Sequence, residues 1–428
     1  MKVQSVRGTH DMLPGAVELW QQLEQTARSL FARYGYGEIR TPIFEETELF
    51  ARSIGVETDI VQKEMYTIQE SKGRTITLRP EGTAPVVRSY LEHNLQTEGT
   101  VKLYYLGPMF RHERPQKGRY RQFHQIGAEV LGSDNPAIEA EVVEMLFAFF
   151  QLLSLTDFRL LVNSVGCSNC RPAYVNKLRE ELRARADRLC EECRRRSETN
   201  PLRVLDCKVP SCQPEIGSLP SILDWLCDDC RAHFEAFKKY LGLQGLPYEI
   251  TPRLVRGLDY YVRTTFEIQS ERLGPTQNAV VGGGRYDGLS ELIGGPPTKG
   301  FGFALGMERL VLLLSGRPDL DAPFKPPSPD LFLAHVDPGS FEHNLLLARE
   351  LRADGISVYL DFEGRSVKGQ MRLANRLASR FTCVVGETEM TSRQLTLKRM
   401  SDGTQATVDK KGLKDFLLKE LNGYGPTR

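Results

Sequence analysis

The sequence has 428 residues, 40% hydrophobic and 26% charged, with a formal net charge of +1 at pH 7, which is the composition of a globular protein with more than one domain. The balanced charge excludes a global basic field, so nucleic acid would have to bind local basic patches. No apolar run approaches the roughly 18–20 residues that cross a bilayer, and the polar N-terminus lacks a signal-peptide core. We therefore expect a cytoplasmic protein without a membrane partner.

Helix and strand patterns alternate through the first part of the chain. Apolar residues at helical or alternating spacing, with Gly, Pro and Asn at the breaks, place the elements. In chain order we first predict a helix at 14–34, with Pro14 in its first turn and Gly35 at its end. A strand, a break at Pro42 and a helix follow within 38–53, and a strand, a turn and a helix within 75–91. We then predict a long antiparallel hairpin from 101–113 and 121–132, and a helix that begins at Asn135-Pro136.

The second part of the chain changes in character twice. Residues 167–245 are rich in Cys and Arg and poor in strand patterns, which predicts a helical insertion. Strand patterns return at 261–270 and 279–289, and 300–314 joins a strand to an apolar helix. The segment 315–330 carries five prolines and is predicted to be a stiff linker.

Beyond the linker, four strand patterns alternate with helical segments, which predicts a small α/β domain with a largely parallel sheet. We therefore predict a first domain at 1–325, interrupted by the insertion at 167–245, and a second at 326–428. No internal repeat is apparent in the sequence.

The predicted hairpin carries five basic residues, namely Arg111, Arg114, Lys117, Arg119 and Arg121. A solvated, charged β-turn would account for such a hairpin in isolation. Arg111, however, follows an apolar strand that would hold its guanidinium rigidly, and a rigid fork suits phosphate oxygens. Gln125 and Glu129 alternate on the returning strand and share one face. Burial of such polar groups is costly unless they line a polar pocket.

Three further segments are ambiguous when each is taken alone. There is no GxxxxGK[ST] loop, so ATP would not be held by that device. The glycine triplet at 282–284 usually marks a turn or bulge. Arg256, three residues before Asp259 and two tyrosines, could lie on an ordinary strand with aromatic packing. Arg309 opens an apolar helix, where arginine is most often a surface residue.

Together these segments resemble one family, the histidyl-tRNA synthetases among the class II aminoacyl-tRNA synthetases. The segment TPIFEETELF at 41–50 resembles the dimer-forming first motif, 107–125 the second and 302–310 the third. The segments LVRGLDYYVRTTFE at 254–267 and GGGRYDGL at 282–289 resemble two stretches peculiar to the histidine enzyme. The resemblance implies an α+β catalytic domain built on an antiparallel sheet, with a helical insertion, and a C-terminal α/β anticodon-binding domain.

The resemblance also implies a reaction, in which histidine and ATP form histidyl-adenylate and the 3′ end of tRNA(His) takes the histidyl group. Charge builds on phosphate oxygens, so positioning and fixed positive charge would drive the step. Arg111 would grip the α-phosphate and Arg309 the γ-phosphate, while Glu113 would contact the adenine amino group. Arg256 would contact the histidine carboxylate and the α-phosphate. Mg²⁺ is expected on the β- and γ-phosphates.

Histidine binding is implied for a second group of residues. The ammonium group would meet acceptors among Glu81, Thr83 and Gln125, and the imidazole would meet Glu129 and Tyr261. Tyr260 and Tyr286 would form the walls of the pocket. The alternative for Glu81 is a carboxylate that caps the helix following it.

The resemblance further implies a homodimer and a tRNA partner. The loop with Arg114, Lys117 and Arg119 would approach the acceptor end of tRNA, and Arg365, Lys368 and Arg372 would contact tRNA from the C-terminal domain. The Arg-rich insertion could clamp the acceptor stem or present an exposed, salt-bridged helical face. Lys and Arg contacts of this kind make binding sensitive to salt.

Eight of the nine cysteines cluster between 167 and 230, and Cys383 stands alone. In a reducing compartment such clustering suggests metal rather than disulfides. CxxC pairs are the usual halves of tetrahedral zinc sites, so we predict structural zinc, with eight thiols for two ions or four for one. Free, partly buried thiols are the alternative. The candidate ligands are Cys167, Cys170, Cys190, Cys193, Cys207, Cys212, Cys227 and Cys230.

Two other functions remain as alternatives. A paralogue of this family is the regulatory subunit of ATP phosphoribosyltransferase, but it lacks the C-terminal tRNA-binding domain and departs from the histidine and ATP motifs. Sensors of uncharged tRNA carry a kinase domain, and no kinase motif occurs in the sequence. We therefore predict a ligase.

Overall fold

A computed structural model of the chain describes residues 3–71, 73–116, 118–274, 278–316 and 328–422. Lys117 and most of the predicted proline-rich linker, 317–327, lie outside these residues, so the predicted domain boundary at 325/326 stays a prediction. The chain divides into two compact units, one containing Ala16–Ala322 and the other Pro323–Arg428. Among the described residues, no helix is both long and apolar enough to span a membrane.

The larger unit combines eleven strands with ten α-helices in the residues that the structure describes. The strands are β1 Gly37–Glu38, β2 Phe44–Glu46, β3 Tyr66–Gln69, β4 Thr75–Leu78, β5 Val101–Phe110, β6 Gln122–Leu131, β7 Arg159–Ser164, β8 Glu249–Ile250, β9 Val262–Gln269, β10 Ala279–Arg285 and β11 Gly300–Gly306. The helices are α1 Val17–Arg33, α2 Thr47–Ile54, α3 Thr83–Glu92, α4 Pro136–Leu152, α5 Arg171–Arg183, α6 Glu191–Thr199, α7 Gln213–Gly217, α8 Asp228–Leu243, α9 Leu289–Leu292 and α10 Met307–Ser315.

An eight-stranded sheet in the order β1-β5-β6-β11-β10-β9-β7-β8 forms the framework of this unit. Its interior pairs are antiparallel, and only the short edge strands β1 and β8 pair in parallel. The predicted hairpin is β5–β6, paired from Val101↔Leu131 to Phe110↔Gln122. This architecture confirms the predicted fold class. A separate three-stranded sheet has the order β2-β4-β3.

The two faces of the large sheet are buried against different elements. Successive residues of a strand point to opposite faces, and Tyr104 and Tyr105 of β5 accordingly belong to different buried clusters. The cluster with Tyr104 includes apolar residues of α1, α4, α8 and α10. The cluster with Tyr105 includes Tyr260, Tyr261 and Tyr286 together with α3 and α5. The second face therefore carries the tyrosines implicated by the sequence.

Helix ends follow local chemistry, with one correction. The Asn135 side chain accepts a hydrogen bond of 3.0 Å from the Ala137 N–H, and Pro136 occupies the first turn, so α4 begins where predicted. Helix α1 begins at Val17 rather than at Pro14. The prediction failed because Gly15 adopts a positive φ of 104°, which breaks the helical path between Pro14 and α1.

The predicted insertion is helical, but it is less separate than the sequence suggested. Phe234, Phe237 and Leu241 of α8 belong to the buried cluster of α4 and the central sheet. Tyr174 and Leu178 of α5 lie in the same cluster as the pocket tyrosines. The segment therefore completes the buried core of the larger unit.

The smaller unit contains five strands and four α-helices in its described residues. They are β12 Leu331–His335, α11 Pro338–Ala353, β13 Val358–Leu360, α12 Val367–Arg376, β14 Phe381–Val385, α13 Glu387–Ser392, β15 Gln394–Arg399, β16 Gln405–Asp409 and α14 Leu413–Asn422. The sheet order is β13-β12-β14-β15-β16, with the first three strands parallel and the last two antiparallel. The sequence analysis missed β16 because its residues alternate between half-buried and exposed at the sheet edge.

Candidate active site

A cleft opens over the β5–β6 hairpin and the strands β10 and β11. It holds about 940 Å³ of space, solvent at its mouth included. Ten of the residues implicated by the sequence line it, namely Glu81, Thr83, Arg111, Glu113, Arg119, Gln125, Arg256, Tyr260, Tyr261 and Arg309. Residues far apart in sequence therefore converge on one surface.

Arg111 stands where β5 ends and the hairpin loop begins. Its Nε donates a hydrogen bond of 2.9 Å to the Pro80 carbonyl, and its guanidinium lies 5.2 Å from the centre of the Phe123 ring. The Glu113 carboxylate lies 4.0 Å from Arg111 Nη1 and 3.2 Å from Arg119 Nη1. Arg111 is thus held by its Nε, which leaves its Nη groups near the cleft.

The remaining basic residues of the hairpin differ in position. Arg114 is exposed and does not line the cleft, whereas the side chain of Arg119 lines it and is 45% exposed. The backbone N–H of Arg121 donates to the Gly8 carbonyl over 2.7 Å, which ties the hairpin to the N-terminal segment. Lys117 lies outside the described residues, so its predicted tRNA contact has no structural description.

Arg256 reaches the cleft from the segment before β9. Its Nη1 forms an ion pair with Glu267 of β9. A Cβ on Gly282 would lie 1.6 Å from Arg256 Nη2, so only glycine leaves room for this guanidinium. The glycine triplet at 282–284 lies within strand β10 and forms no turn, but the pairing of β10 with β9 shifts register between Gly284 and Arg285, as in a bulge. Burial opposes the charge of Arg256, but the Glu267 carboxylate together with Tyr261 and Asp206 outweighs it, so the pKa of the guanidinium is raised.

Arg309 lies in the first turn of α10, directly after β11. Its Nη1 donates to the Ala279 carbonyl. The helix does not place it on the open surface, which was the ordinary expectation for an arginine there. Burial, reinforced by the positive charge of Arg119, lowers the pKa of Arg309 to about 10. An anion bound beside Arg309 would therefore relieve an unfavourable electrostatic environment.

Glu129, Thr83 and Tyr286 form a buried group next to the cleft. Thr83 Oγ1 and Tyr286 Oη donate to the two oxygens of the Glu129 carboxylate over 2.7 and 2.6 Å. Glu129 is fully buried and Tyr286 nearly so, and neither lines the cleft directly. Burial is the main cause that raises the pKa of Glu129 to about 8. The carboxylate is thus poised to change its ionisation when a polar ligand arrives.

Glu81 has the capping contacts that the sequence analysis considered as an alternative. Its carboxylate accepts hydrogen bonds from the backbone N–H groups of Thr83 and Ala84, over 2.6 and 2.8 Å, at the start of α3. The same side chain lines the cleft. Burial is the main cause that raises the pKa of Glu81. Helix capping and ligand contact are therefore compatible at this position.

Gln125 and two tyrosines complete the same side of the cleft. The buried Oε1 of Gln125 has no hydrogen-bond donor among the described residues. Such an acceptor is costly unless a ligand or water supplies a donor. The rings of Tyr260 and Tyr261 lie 4.7 Å apart, and Tyr260 meets Tyr286 edge-on at 5.8 Å. Among the described residues, the hydrogen bonds to the Glu129 carboxylate come from Thr83 and Tyr286 and not from Tyr261.

Three contributors to the cleft were not identified as site residues from the sequence. Phe123 packs beneath Arg111, and Glu267 holds Arg256. Glu308, also at the cleft wall, accepts hydrogen bonds from the His124 backbone N–H and, at 3.1 Å, from His124 Nδ1. An acidic residue beside Arg309 at a helix start was the only signal for Glu308. The pairing of β9 with β10 that places Glu267 is not visible in the sequence, and the predicted hairpin did not by itself single out Phe123.

Comparison with known proteins identifies the family. The family description "Histidyl-tRNA synthetase" matches residues 8–310, and "Anticodon binding domain" matches 340–420. A histidine–tRNA ligase of Solibacter usitatus is 52% identical over 95% of this chain and 96% of its own length. The chain belongs to the histidyl-tRNA synthetase family. A second such ligase, from Trichlorobacter lovleyi, is 52% identical over 95% of this chain and 96% of its own length.

Solved structures agree with this assignment. The apo histidyl-tRNA synthetase of S. aureus has a TM-score of 0.80 and 37% identity over 97% of this chain and all of its own. A Bacillus halodurans protein, described as an ATP phosphoribosyltransferase regulatory subunit/histidyl-tRNA synthetase, has a TM-score of 0.63 and 20% identity over 89% of this chain and 98% of its own, and shares the fold alone. The regulatory alternative is not favoured, because relatives about half identical are histidine–tRNA ligases over nearly their full length.

The remaining predicted residues belong to the smaller unit and are not among those that line the cleft. Arg365, Lys368 and Arg372 are exposed in the smaller unit, at and within α12. Arg365 is held by Asp361, whose carboxylate also accepts the Arg365 backbone N–H over 2.8 Å. Lys368 and Arg372, four residues apart on one helix, share a face. They therefore form an exposed basic pair on α12.

The eight clustered cysteines form two groups of four, Cys167, Cys170, Cys227 and Cys230 in one and Cys190, Cys193, Cys207 and Cys212 in the other. None of the eight forms a disulfide. None of the described residues that line the cleft is a cysteine. The groups therefore lie outside the reaction site.

Proposed function

We propose that the chain catalyses the ligation of histidine to tRNA(His), by way of histidyl-adenylate formed in the cleft described above. The observation that carries this proposal is the meeting of two sets of side chains in one cleft. Arg111, Arg256 and Arg309 supply fixed positive charge. Gln125 and the Glu129 group supply polar contacts beside them. Phosphates and an amino acid with a polar side chain are the ligands that match both sets.

The arginines would stabilise the charge that develops when the histidine carboxylate attacks the α-phosphorus of ATP. In this proposal Arg111 contacts the α-phosphate and Arg309 the γ-phosphate. Arg256 contacts both the histidine carboxylate and the α-phosphate. Because each guanidinium is anchored by another contact, little reorganisation is required during the reaction. The Glu113 carboxylate would leave its contacts with Arg111 and Arg119 and accept a hydrogen bond from the adenine amino group.

The polar side of the cleft would select histidine. Gln125, Glu81 and Thr83 offer oxygen acceptors for the ammonium group, and the unsatisfied Oε1 of Gln125 favours a ligand donor at that point. The Glu129 carboxylate and Tyr261 would pair with the imidazole, with Tyr260 and Tyr286 as walls. An amino acid without such a side chain would leave a buried carboxylate unpaired, which is strongly disfavoured.

Two cofactor assignments belong to the proposal. Mg²⁺ would neutralise charge on the β- and γ-phosphates, and the carboxylate of Glu308 at the cleft wall offers oxygen ligands of the kind that it prefers. Zinc is assigned to the cysteine groups in a structural role, because four thiolates leave no open position for water. The chemistry of ligation does not pass through zinc.

The partners of this synthetase are proposed with the same reasoning. The hairpin loop with Arg114, Lys117 and Arg119 would meet the acceptor end of tRNA, and the basic residues of α12 would meet another part of it. A homodimer and a cytoplasmic location stay predictions. Light scattering of the purified protein tests the dimer, for which a mass near twice 48.4 kDa is expected.

Histidine-dependent exchange of pyrophosphate into ATP tests the function directly. We expect exchange with histidine and none with the other nineteen amino acids, followed by transfer to tRNA(His) when that tRNA is added. If none of the twenty amino acids supports exchange, the proposed synthetase function is contradicted. Exchange with a different amino acid would contradict the assignment of Glu129 and Tyr261 to histidine.

A further inference from the structure

The two cysteine groups have the spacing of metal ligands. In the first group the Sγ atoms of Cys167 and Cys170, of Cys167 and Cys227, and of Cys170 and Cys230 are each 3.8 Å apart. Four sulfurs about 2.3 Å from one zinc ion stand about 3.8 Å from one another in a tetrahedron. A disulfide would require about 2.05 Å. The distances therefore match a tetrathiolate site.

The second group has the same character. The Sγ atoms of Cys190 and Cys207 are 4.0 Å apart, and within each group all four ligand atoms lie within 4.8 Å of one another. Cys193 and Cys212 are fully buried. A cluster of several iron atoms would need sulfurs further apart because the irons lie between them. One ion per group is the arrangement that the spacing permits.

Backbone groups favour the thiolate form at both sites. The N–H of Cys167 donates to Cys170 Sγ over 3.3 Å, and the N–H of Cys190 donates to Cys212 Sγ over 3.2 Å. Cys190 immediately precedes α6, and Cys227 immediately precedes α8. Helix N-termini stabilise negative charge. These contacts are of the kind that orient and support metal ligands.

From this geometry we propose that the chain holds two structural zinc ions, one on Cys167, Cys170, Cys227 and Cys230 and the other on Cys190, Cys193, Cys207 and Cys212. Each ion replaces the four thiol protons of its site, which are released to solvent. The first site joins the segment that follows β7 to the start of α8. The second site ties α6 to the segment that ends at Cys212.

Both sites adjoin side chains that hold the segment carrying Arg256 and Tyr261. Arg171, next to Cys170, donates to the Tyr261 carbonyl over 2.5 Å. Arg203, between Cys193 and Cys207, donates to the Arg256 carbonyl over 3.0 Å. The zinc ions therefore help to position the backbone of Tyr261 and Arg256 through Arg171 and Arg203. This part of the inference rests on the proposed function, whereas the metal sites do not.

Elemental analysis of the full chain tests the sites without reference to activity. Protein purified without added zinc and without a metal-binding tag is expected to contain two equivalents of zinc per chain. Less than about half an equivalent would overturn the proposal, and iron in place of zinc would overturn the choice of metal. Two equivalents of zinc in a protein without exchange activity would leave the sites standing and contradict the proposed function alone.

Paired substitutions test which cysteines share an ion. Cys227→Ser with Cys230→Ser should remove one equivalent, and Cys193→Ser with Cys212→Ser should remove the other. Cys383→Ser is the matched control, because this buried cysteine lies on β14 of the smaller unit, and it should retain both. Loss of both equivalents from either soluble pair, or of none, would contradict the two-site assignment.

Cobalt substitution keeps the assignment testable if those variants do not fold. Wild-type protein with Co²⁺ in place of zinc should show the thiolate charge-transfer and tetrahedral d–d absorption of two sites, and octahedral spectra would overturn the ligation. For the coupling, the soluble Cys227→Ser/Cys230→Ser variant should raise the KM for histidine roughly tenfold with little change in the KM for ATP, because its site adjoins the Tyr261 carbonyl through Arg171. An unchanged histidine KM, or an equal rise in both, would overturn the coupling.

Discussion

The guanidinium of Arg256 lies so close to the backbone of Gly282 that a Cβ there would stand 1.6 Å from its Nη2. Arg256 precedes β9, whereas Gly282 lies within β10, and the pairing of β9 with β10 brings them together. The ion pair with Glu267 then fixes the guanidinium. A glycine without an obvious local purpose is thus required by a side chain 26 positions away in the sequence.

Gly282→Ala should displace Arg256 and reduce histidine-dependent pyrophosphate exchange by roughly 10²–10³-fold, the usual effect of losing one preorganised charged contact. Gly288→Ala is the control, because a Cβ there meets no atom within 4 Å and the φ of −94° suits alanine. Exchange rates and melting temperatures of both variants would be compared. Equal activity in the two variants would contradict the role of Arg256.

Arg111→Ala should abolish adenylate formation, with a loss of roughly 10²–10³-fold or more in exchange rate, while leaving the fold intact. The side chain is anchored chiefly to one carbonyl and one ring, so its removal leaves little of the core unpaired. Arg114→Ala, in the same hairpin but away from the cleft, serves as the control for the exchange assay. Single-turnover measurement of adenylate checks the result, and a wild-type rate for Arg111→Ala would exclude the proposed contact.

Glu129→Gln should change how stability depends on pH. Burial raises the pKa of Glu129 from 4.5 to about 8, so the folded protein binds the proton more tightly than the unfolded chain. The Glu129 contribution to stability is therefore present at low pH and is lost as pH rises through the window from 4.5 to about 8. The melting temperature of the variant minus that of wild type should therefore be several degrees larger at about pH 8.5 than at about pH 5.

Thermal melting of wild type and Glu129→Gln across this pH range measures the difference. Glu70→Gln removes an exposed carboxylate and controls for the change in net charge. If the melting temperatures of Glu129→Gln and wild type differ by the same amount at every pH, the ionisation of Glu129 does not cause the difference in stability.

Lys368→Ala combined with Arg372→Ala should weaken tRNA charging without altering pyrophosphate exchange. The slope of log affinity against log salt is negative, and each lost phosphate contact should make it less steep by about 0.9 for a contact to a duplex or about 0.7 for a contact to a single strand. Lys411→Ala removes an exposed lysine from a different element of the same unit and is the control. Aminoacylation kinetics at several salt concentrations measure the effect, and an equal loss of exchange activity would indicate a disturbed fold instead.

Several features of this protein are readable from sequence alone. The β5–β6 hairpin, the start of α4 and the strand–helix unit at 300–314 follow from local periodicity and capping residues, which act over a few neighbouring positions. The motifs at 41–50, 107–125, 254–267, 282–289 and 302–310 were sufficient for the family, because their order and spacing are specific when taken together. Ten of the residues implicated by the sequence line one cleft in the structure, and their roles stay predictions.

Other features depend on contacts between distant segments. The role of Gly282, the pairing of Arg256 with Glu267 and the group formed by Glu129, Thr83 and Tyr286 exist only once the strands are in register. The assortment of eight cysteines into two groups of four was likewise undecided by their spacing, since CxxC pairs from 167 and 227 meet across sixty residues.

The sequence by itself determined the family, the order of the elements and the chemical types gathered for catalysis, because these are carried by residue identity and short-range spacing. The tertiary structure decided which polar groups are buried, which carboxylate has its pKa raised and which cysteines face one another. Burial and electrostatic shifts depend on the atoms that surround a group in space, and those atoms come from every part of the chain.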